Sequence, residues 1–335
     1  MTADLDAHAL AFLKSTPWAQ AEVAVLTQDA SARRYYRLTH PTLRSAILMD
    51  ASKSVAGEMA RFLHIGRFLR DIGLSAPEIY EESADYLILE DFGNARFADL
   101  PTDPAALYGI ALDVLLHLQT HPAPEGLPLC DAAHLGELAA TAWQFYPISA
   151  TGSRNSESDA VAELVVSLSQ CLDLTPSCVM LRDYHAENVM WLPDREGYAR
   201  AGLLDFQDAM LGHPAFDVVS LLQDARRDID LDFEREMCTY FQTRSSLNAD
   251  HFATSYAALG AIRNLRIIGM FTRLSRLLNR PHYVDFIPRV WAYLDRDLAH
   301  PALRDLRDMV ANTLPAPTKS YLEFLKSACL TNPPQ

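Results

Sequence analysis

The fold of this chain is decided by the stretch Val179-Met-Leu-Arg-Asp-Tyr-His-Ala-Glu-Asn-Val-Met-Trp-Leu192, together with Ala201-Gly-Leu-Leu-Asp-Phe-Gln-Asp208. Each part contains an apolar run, and a polar segment containing Gly197 separates the two runs. Apolar runs joined by a polar, glycine-containing segment are typical of a β-hairpin. We therefore predict a hairpin with strands at 188–192 and 201–206.

Three polar side chains stand at the ends of this hairpin. Asp183 precedes the first strand, Asn188 opens it, and Asp205 lies at the end of the second strand. The hairpin folds Asn188 and Asp205 toward one another, and their oxygens are of the kind that holds a hard cation. The carboxylate of Asp183 then remains free to accept a proton from a reacting group. Asp-x-x-x-x-Asn followed by Asp-Phe predicts phosphoryl transfer, with Asp183 as the catalytic residue and Asn188 and Asp205 as metal ligands.

The composition limits the class of protein. The chain has 335 residues, of which 49% are hydrophobic, so we expect a large core and two lobes. Its net charge of −14 argues against a nucleic-acid partner and against an anionic membrane surface. The cysteines show no CxxC spacing, and we find neither a signal-peptide pattern nor a membrane-spanning run. We predict a cytoplasmic protein; the sequence leaves the oligomeric state open and is compatible with a monomer.

Secondary-structure patterns divide the chain into a strand-rich first part and a helical second part. Strand candidates in the first part are 21–27, the run after Asp29, 46–49, 79–80 and 86–89. One main helix, capped by Ser54, separates them and stops at Gly73. Helices in the second part are predicted at 132–146, 159–172, 216–227, 233–243, 251–278, 284–298 and 303–312, after a first one that begins at Asp103-Pro104. The predicted fold class is therefore α+β, with a strand-rich lobe at 1–92 and a helical lobe at 93–335; the family resemblance described next implies that the first binds the nucleotide and that the second is the catalytic and substrate lobe.

The lobes and the hairpin motifs together resemble the protein-kinase-like fold. Within it, the chain is similar to the aminoglycoside phosphotransferase/choline kinase family, and most similar to a bacterial branch of anomeric kinases of N-acetylmuramate and N-acetylglucosamine. The resemblance lies in the segments Asp29-Ala-Ser-Ala-Arg-Arg-Tyr-Tyr-Arg37, Leu48-Met-Asp-Ala51, Arg182-Asp-Tyr-His-Ala-Glu-Asn188, Leu204-Asp-Phe-Gln-Asp-Ala209, Phe216-Asp-Val-Val-Ser-Leu-Leu-Gln-Asp224 and Arg263-Asn-Leu-Arg-Ile-Ile-Gly-Met-Phe271.

The resemblance implies a kinase that depends on ATP and Mg²⁺ and phosphorylates a hydroxyl of a small molecule, in this branch an amino sugar at its anomeric hydroxyl. It also implies a loop over the ATP phosphates formed by Ser31, Ala32, Arg33 and Arg34, a hinge to adenine formed by Glu90, Asp91 and Phe92, and a structural acid, Asp217, that braces the catalytic loop. An aminoglycoside- or choline-type kinase and a pseudokinase nucleotide-binding module are the alternatives.

Two positions depart from the family pattern. Leu181 occupies the place where the catalytic loop often begins with histidine, and Met49 lies where the strand usually carries a lysine for the ATP phosphates. The usual partner of Glu58 is therefore missing. Since adjacent side chains of a strand point to opposite faces, we expect one of Arg33 and Arg34 to face the phosphates.

Some further residues have competing interpretations. Asp91-Phe92-Gly93 spells a kinase metal motif, but it precedes the catalytic loop, so we interpret it as the hinge and Asp205 as the metal site. His185 is more simply a hydrogen-bonded scaffold residue than a substrate contact. Arg263 and Arg266 could reach an anionic substrate group, although long charged side chains usually extend to solvent.

Overall fold

The structure is a computed structural model that describes residues 5–26, 33–100 and 104–327. Its strands are β1 (Glu22–Leu26), β2 (Arg34–Thr39), β3 (Ala46–Asp50), β4 (Ile79–Glu82), β5 (Tyr86–Glu90), β6 (Cys178–Met180), β7 (Val189–Trp191), β8 (Ala201–Leu203) and β9 (Met210–Gly212). Its α-helices are α1 (Ala7–Lys14), α2 (Glu58–Asp71), α3 (Pro104–Gln119), α4 (Ala132–Phe145), α5 (Ser156–Cys171), α6 (Ala215–Leu222), α7 (Leu231–Gln242), α8 (Ala249–Leu278), α9 (Ile287–Leu298), α10 (Arg304–Thr313) and α11 (Lys319–Ser327). Short 3₁₀ turns lie at Phe97–Asp99, Gly197–Arg200, Pro281–Phe286 and Pro301–Leu303.

The chain divides into two compact units. The first comprises Met1–Asp103 and Ala186–Asp208, and the second comprises Pro104–His185 and Ala209–Gln335. The predicted boundary after residue 92 assigns the hairpin to the second lobe, whereas the structure groups the hairpin with the first unit. The division into functional lobes at residue 92 remains a prediction.

The first unit contains an antiparallel sheet with the strand order β1-β2-β3-β5-β4. Side chains alternate between the two faces of each strand. On one face, Tyr36 and Leu38 of β2 pack with Leu13 of α1 in a hydrophobic core. The opposite face of β2 carries Tyr35 and Arg37, which line a cavity. One face of the sheet is therefore buried in the core, and the other face lines the cavity.

Helix α2 begins later than the sequence predicts. Its N-cap is Gly57, which has a φ of +82°, a left-handed conformation that favours glycine. The N–H of Ser54, the predicted cap, instead donates to the carbonyl of Ala51 at 2.9 Å. Glu58 consequently lies in the first turn of α2, where a negative charge complements the helix dipole.

The predicted hairpin is confirmed, although both of its strands are shorter than predicted. Strands β7 and β8 pair in an antiparallel register in which Val189 lies opposite Leu203. The N–H of Leu204 donates to the carbonyl of Asn188 at 3.0 Å, one residue before Asp205. This backbone hydrogen bond thus joins Asn188, one position that the sequence assigns to metal binding, to the residue before Asp205, the other such position.

The second unit is helical apart from the small sheet formed by β6 and β9. The loop after β6 carries Asp183, and Asp217 lies in the first turn of α6. The long helix α8 packs closely on α4 at Gly269, where a Cβ atom would lie 2.3 Å from the carbonyl oxygen of Thr141. Any larger residue would push the two helices apart.

Helix α11 was not predicted from the sequence. It buries Tyr321 and Leu325, which are spaced by one helical turn. That spacing was a signal that could have revealed the helix. No helix in the described part of the chain is long and apolar enough to cross a membrane.

Candidate active site

A cavity of about 780 Å³ lies in the first unit. Its walls include Tyr35 and Arg37 from β2 and Leu89 from β5, and the hairpin side contributes Asn188 and Asp205. Ligand pockets for small molecules and cofactors generally have volumes of this order, roughly 300–1,000 Å³. The predicted metal ligands therefore line the same cavity as the sheet residues Tyr35, Arg37 and Leu89.

Asp205 is held in position by its neighbours in sequence. It adopts a left-handed conformation with a φ of +57°, which is uncommon outside glycine. The ring of Phe206 stacks on Phe62 of α2 with a centroid distance of 5.0 Å. The side-chain amide of Gln207 donates to Oδ1 of Asp205 at 2.8 Å. Together these contacts fix the direction of the carboxylate.

Arg33 continues this network toward α2. Its side chain is 6% exposed. Its Nη1 donates to Oε1 of Gln207 at 3.2 Å and to the hydroxyl of Tyr35 at 3.3 Å. Its Nη2 forms an ion pair with Oε1 of Glu58 at 3.3 Å. Sequence reasoning named Arg33 but missed Gln207 and Tyr35, because their contacts join positions distant in the chain or depend on side-chain packing.

The two adjacent arginines point in different directions. Arg33 is buried and lines the cavity, whereas Arg34 is exposed and lies opposite Asp50 of β3. The alternation of a β-strand accounts for this difference. Ser31 and Ala32, the other residues predicted to cover the phosphates, lie outside the described residues.

Asp91, in the predicted hinge, is engaged in structural contacts. Its carboxylate forms an ion pair with Nε of Arg37 at 2.8 Å and accepts from the N–H of Gly93 at 2.9 Å. Gly93 has a φ of +78° at this turn. Glu90 forms an ion pair with Arg195 at 2.5 Å. These contacts give the Asp91 carboxylate a role in holding the turn.

Phe92 packs against the hairpin. A Cβ atom at Gly202 would lie 2.8 Å from the Phe92 ring, so only glycine fits at that position without a shift. Glu90, Asp91 and Phe92 all line the cavity. The three predicted hinge residues therefore line the same cavity as the predicted metal ligands, Asn188 and Asp205.

In the second unit, Asp217 braces the loop that carries Asp183. Its carboxylate accepts from the backbone N–H of Leu181 at 2.6 Å and of Arg182 at 2.9 Å. The hydroxyl of Ser220 donates to the carbonyl of Arg182 at 2.9 Å. Arg182 has a φ of +70°, a conformation that such contacts must maintain.

The pKa of Asp217 is shifted by its surroundings. Burial raises it to about 7, and the charge of Asp183 acts in the same direction, while the two backbone N–H donors lower it. The side chain of Leu181 is 3% exposed. The carboxylate of Asp217 on α6 therefore holds the loop through the N–H groups of Leu181 and Arg182. Position 181, where the family resemblance leads one to expect histidine, is a buried leucine.

His185 is a buried, uncharged residue. Burial lowers its pKa to about 4, against the opposing effects of the Asp224 and Asp183 carboxylates. The neighbouring Tyr184 donates its hydroxyl to the carbonyl of Ala111 at 2.8 Å. These features favour a scaffold role for this part of the loop.

The donors in the first unit fit a magnesium ion. Within the described residues, no group of three or more His, Cys, Asp or Glu side chains could hold a metal ion. Mg²⁺ usually keeps several waters and takes one or two protein oxygens together with substrate phosphates. Asn188 and Asp205 match that requirement.

Comparison with solved structures identifies the fold of the chain. The choline/ethanolamine kinase family protein from Mesorhizobium loti is similar with a TM-score of 0.62 at 13% identity, covering 97% of this chain and 99% of that one. The streptomycin–ATP–APH(2")-IIa ternary complex is similar with a TM-score of 0.53 at 15% identity, covering 78% of this chain and 91% of that one. The predicted protein-kinase-like α+β fold is thereby confirmed.

Sequence comparison defines the family. Residues 22–251 match the model of the phosphotransferase enzyme family. The chain is also 35% identical to an N-acetylmuramate/N-acetylglucosamine kinase of Caulobacter vibrioides, over 95% of this chain and 99% of that protein. The chain belongs to the phosphotransferase enzyme family and is a small-molecule kinase.

Proposed function

We propose that this kinase transfers the γ-phosphoryl group of ATP to the anomeric hydroxyl of an amino sugar, N-acetylmuramate or N-acetylglucosamine. The observation that carries the proposal is the 35% identity to the Caulobacter vibrioides kinase of these sugars over nearly the whole chain. The cavity of the first unit is the proposed nucleotide site, since it combines a buried cation, Arg33, with the oxygens of Asn188 and Asp205.

In this proposal the side chains of the first unit bind and orient the nucleotide. Arg33 offers a planar guanidinium to the phosphates, and its buried contacts with Glu58 and Gln207 hold it in place. Asn188 and Asp205 would hold Mg²⁺, which neutralises phosphate charge when it is bound. Gln207 restrains the Asp205 carboxylate so that little reorganisation is needed when the ligand enters.

Asp183, in the second unit, is the proposed catalytic base. Its carboxylate accepts the proton of the sugar hydroxyl as the oxygen of that hydroxyl bonds to the γ-phosphorus and ADP leaves. Asp217 acts through the loop, because its hydrogen bonds to Leu181 and Arg182 fix the backbone that precedes Asp183. A base placed in this way contributes about 10²–10⁴ in rate.

The test is ADP release by the purified protein with MgATP and a panel of N-acetylmuramate, N-acetylglucosamine, choline and an aminoglycoside. We expect the amino sugars to be turned over far more efficiently than the other compounds, with a product that shows an anomeric phosphate by ³¹P NMR. A clear preference for choline or the aminoglycoside, or phosphate on another hydroxyl, would refute the proposed substrate.

A further inference from the structure

One buried cation in the second unit has no part in the functions described so far. Arg263, in the middle of α8, is 8% exposed. Its Nη1 donates to the backbone carbonyl of Gln223 at 3.2 Å. Among the described residues, no carboxylate lies within the 4 Å of an ion pair with Arg263. A neutral carbonyl is thus the hydrogen-bond acceptor for a buried guanidinium, which has several N–H donors.

The carbonyl that holds Arg263 is itself fixed by a buried polar network. The side-chain amide of Asn264 donates to Oε1 of Gln223 at 2.7 Å and to Oδ2 of Asp297 at 3.0 Å. The side-chain amide of Gln223 donates to Oδ1 of Asp297 at 2.9 Å. The network joins α8, α9 and the end of α6. The guanidinium is therefore anchored on a rigid support, as a recognition group needs to be.

Arg263 lies in the electrostatic neighbourhood of the proposed base. Burial lowers its pKa to about 10, and the carboxylates of Asp224 and Asp183 act in the opposite direction, while Arg266 and Arg226 reinforce the lowering. Arg263 thus lies close enough to the carboxylates of Asp183 and Asp224 for their charges to act on it. A guanidinium in this neighbourhood can receive an anionic group of a ligand that lies near the proposed base.

Within the described residues no carboxylate forms an ion pair with Arg263, so an anion that completes the hydrogen bonds of the guanidinium would offset part of the cost of its burial. A carboxylate matches the planar guanidinium in a two-point contact. The proposed substrates differ in this respect, because N-acetylmuramate carries a carboxylate and N-acetylglucosamine is neutral.

We propose that Arg263 binds the carboxylate of an acidic amino sugar beside Asp183, and so selects N-acetylmuramate over its neutral analogue. This inference rests on the proposed function, since it assigns one of the proposed substrates to a residue of the same site. Arg263 is a specificity residue here, while the reaction at the hydroxyl is assigned to Asp183.

The first experiment compares kcat/KM for the two sugars in Arg263→Gln, which keeps a side-chain donor for the Gln223 carbonyl. The loss of a charge-assisted contact predicts a fall of about 10- to 100-fold for N-acetylmuramate, mainly through KM, and a much smaller change for N-acetylglucosamine. Arg273→Gln, at an exposed position of the same helix, is the matched control and should change neither value appreciably. An equal fall for both sugars would overturn the proposal, because a structural or phosphate-binding role predicts that result.

The second experiment changes the ligand and needs no variant. The dissociation constants of N-acetylmuramate and of its carboxamide are measured by calorimetry with the wild-type protein. The carboxamide should bind about 10- to 100-fold more weakly; equal affinities would overturn the role of Arg263. Failure of the wild type to phosphorylate either sugar would instead contradict the proposed function, so the two failures can be told apart.

Discussion

Arg33 and Glu58 form an ion pair in the first unit, with Nη2 of the arginine 3.3 Å from Oε1 of the glutamate. The family resemblance leads one to expect a lysine on β3 as the partner of Glu58, but β3 carries Met49. Arg33 immediately precedes β2, which is the strand next to β3 in the sheet. In this chain the cation that pairs with Glu58 therefore comes from the residue before β2 and not from β3.

This pair makes Arg33 the candidate cation for the ATP phosphates. Arg33→Ala should raise the KM for ATP or lower kcat by at least about tenfold, because a charge-assisted contact contributes about 1.5–3 kcal/mol. Steady-state kinetics with varied MgATP measures the effect. Arg34→Ala is the matched control, since Arg34 is exposed, and it should remain near the wild type. Normal ATP kinetics in both variants would mean that another residue supplies the cation.

The second prediction separates the two Asp-Phe sequences. Asp205→Ala should increase the Mg²⁺ concentration needed for half-maximal activity, because Asp205 is the proposed metal ligand. Asp91→Ala should leave that Mg²⁺ requirement unchanged, since the Asp91 carboxylate pairs with Arg37 and caps the Gly93 turn. Magnesium titrations at saturating ATP distinguish the two variants. A larger increase of the Mg²⁺ requirement in Asp91→Ala than in Asp205→Ala would contradict the assignment of Asp205 as the metal ligand.

The third prediction concerns the loop that carries Asp183. Asp217→Asn loses one of the two acceptors for backbone N–H groups, because its amide nitrogen cannot accept. Leaving a buried N–H without an acceptor costs about 1–3 kcal/mol, so the thermal midpoint should fall. Turnover should fall at least about tenfold, as the loop loses its fixed conformation. Asp232→Asn, whose side chain is 88% exposed, is the control. Unchanged turnover in a folded Asp217→Asn protein would contradict the bracing role.

The fourth prediction is a pH dependence of stability in the second unit. Burial lowers the pKa of His213 to about 4, and the adjacent His251 acts in the same direction while Asp173 opposes it. A depressed folded-state pKa means that the folded protein binds fewer protons than the unfolded chain. The stability is therefore fully present above the unfolded pKa of about 6.5 and is lost as the pH falls toward 4.

Urea unfolding from pH 7 to pH 4 tests this dependence. His213 should account for a loss of about 3 kcal/mol across this range. His213→Asn keeps an acceptor for the N–H of Ala215, which His213 now accepts at 3.1 Å, and should show a flatter curve. His282→Asn, at an exposed position, is the control and should follow the wild type. A His213→Asn curve as steep as that of the wild type would exclude His213 as a source of the acid sensitivity.

Local patterns in the sequence were sufficient to predict part of the geometry around the candidate site. The hairpin, and with it the approach of Asn188 and Asp205, follows from two apolar runs and the polar segment between them. The opposite orientations of Arg33 and Arg34 follow from the alternation of a strand. These features depend on residues close together in the chain, so local sequence patterns are enough to infer their geometry.

Other features depend on tertiary contacts and could not be read from local patterns. The contact of Arg33 with Gln207 joins positions far apart in the chain, and no periodicity marks it. The sequence favours Ser54 as the N-cap of α2. In the structure the N-cap is Gly57, whose left-handed conformation starts the helix at Glu58. The burial of Arg263 likewise arises from packing around α8, whereas sequence alone favours a solvated arginine.

Asp183 is the proposed base that accepts the proton of the amino-sugar hydroxyl. The most direct test is kcat of Asp183→Asn with N-acetylglucosamine, measured at saturating MgATP together with the affinity for the nucleotide. We predict that kcat falls by about 10²–10⁴ while nucleotide affinity is largely retained. A kcat near that of the wild type in this variant would contradict the proposed role of Asp183.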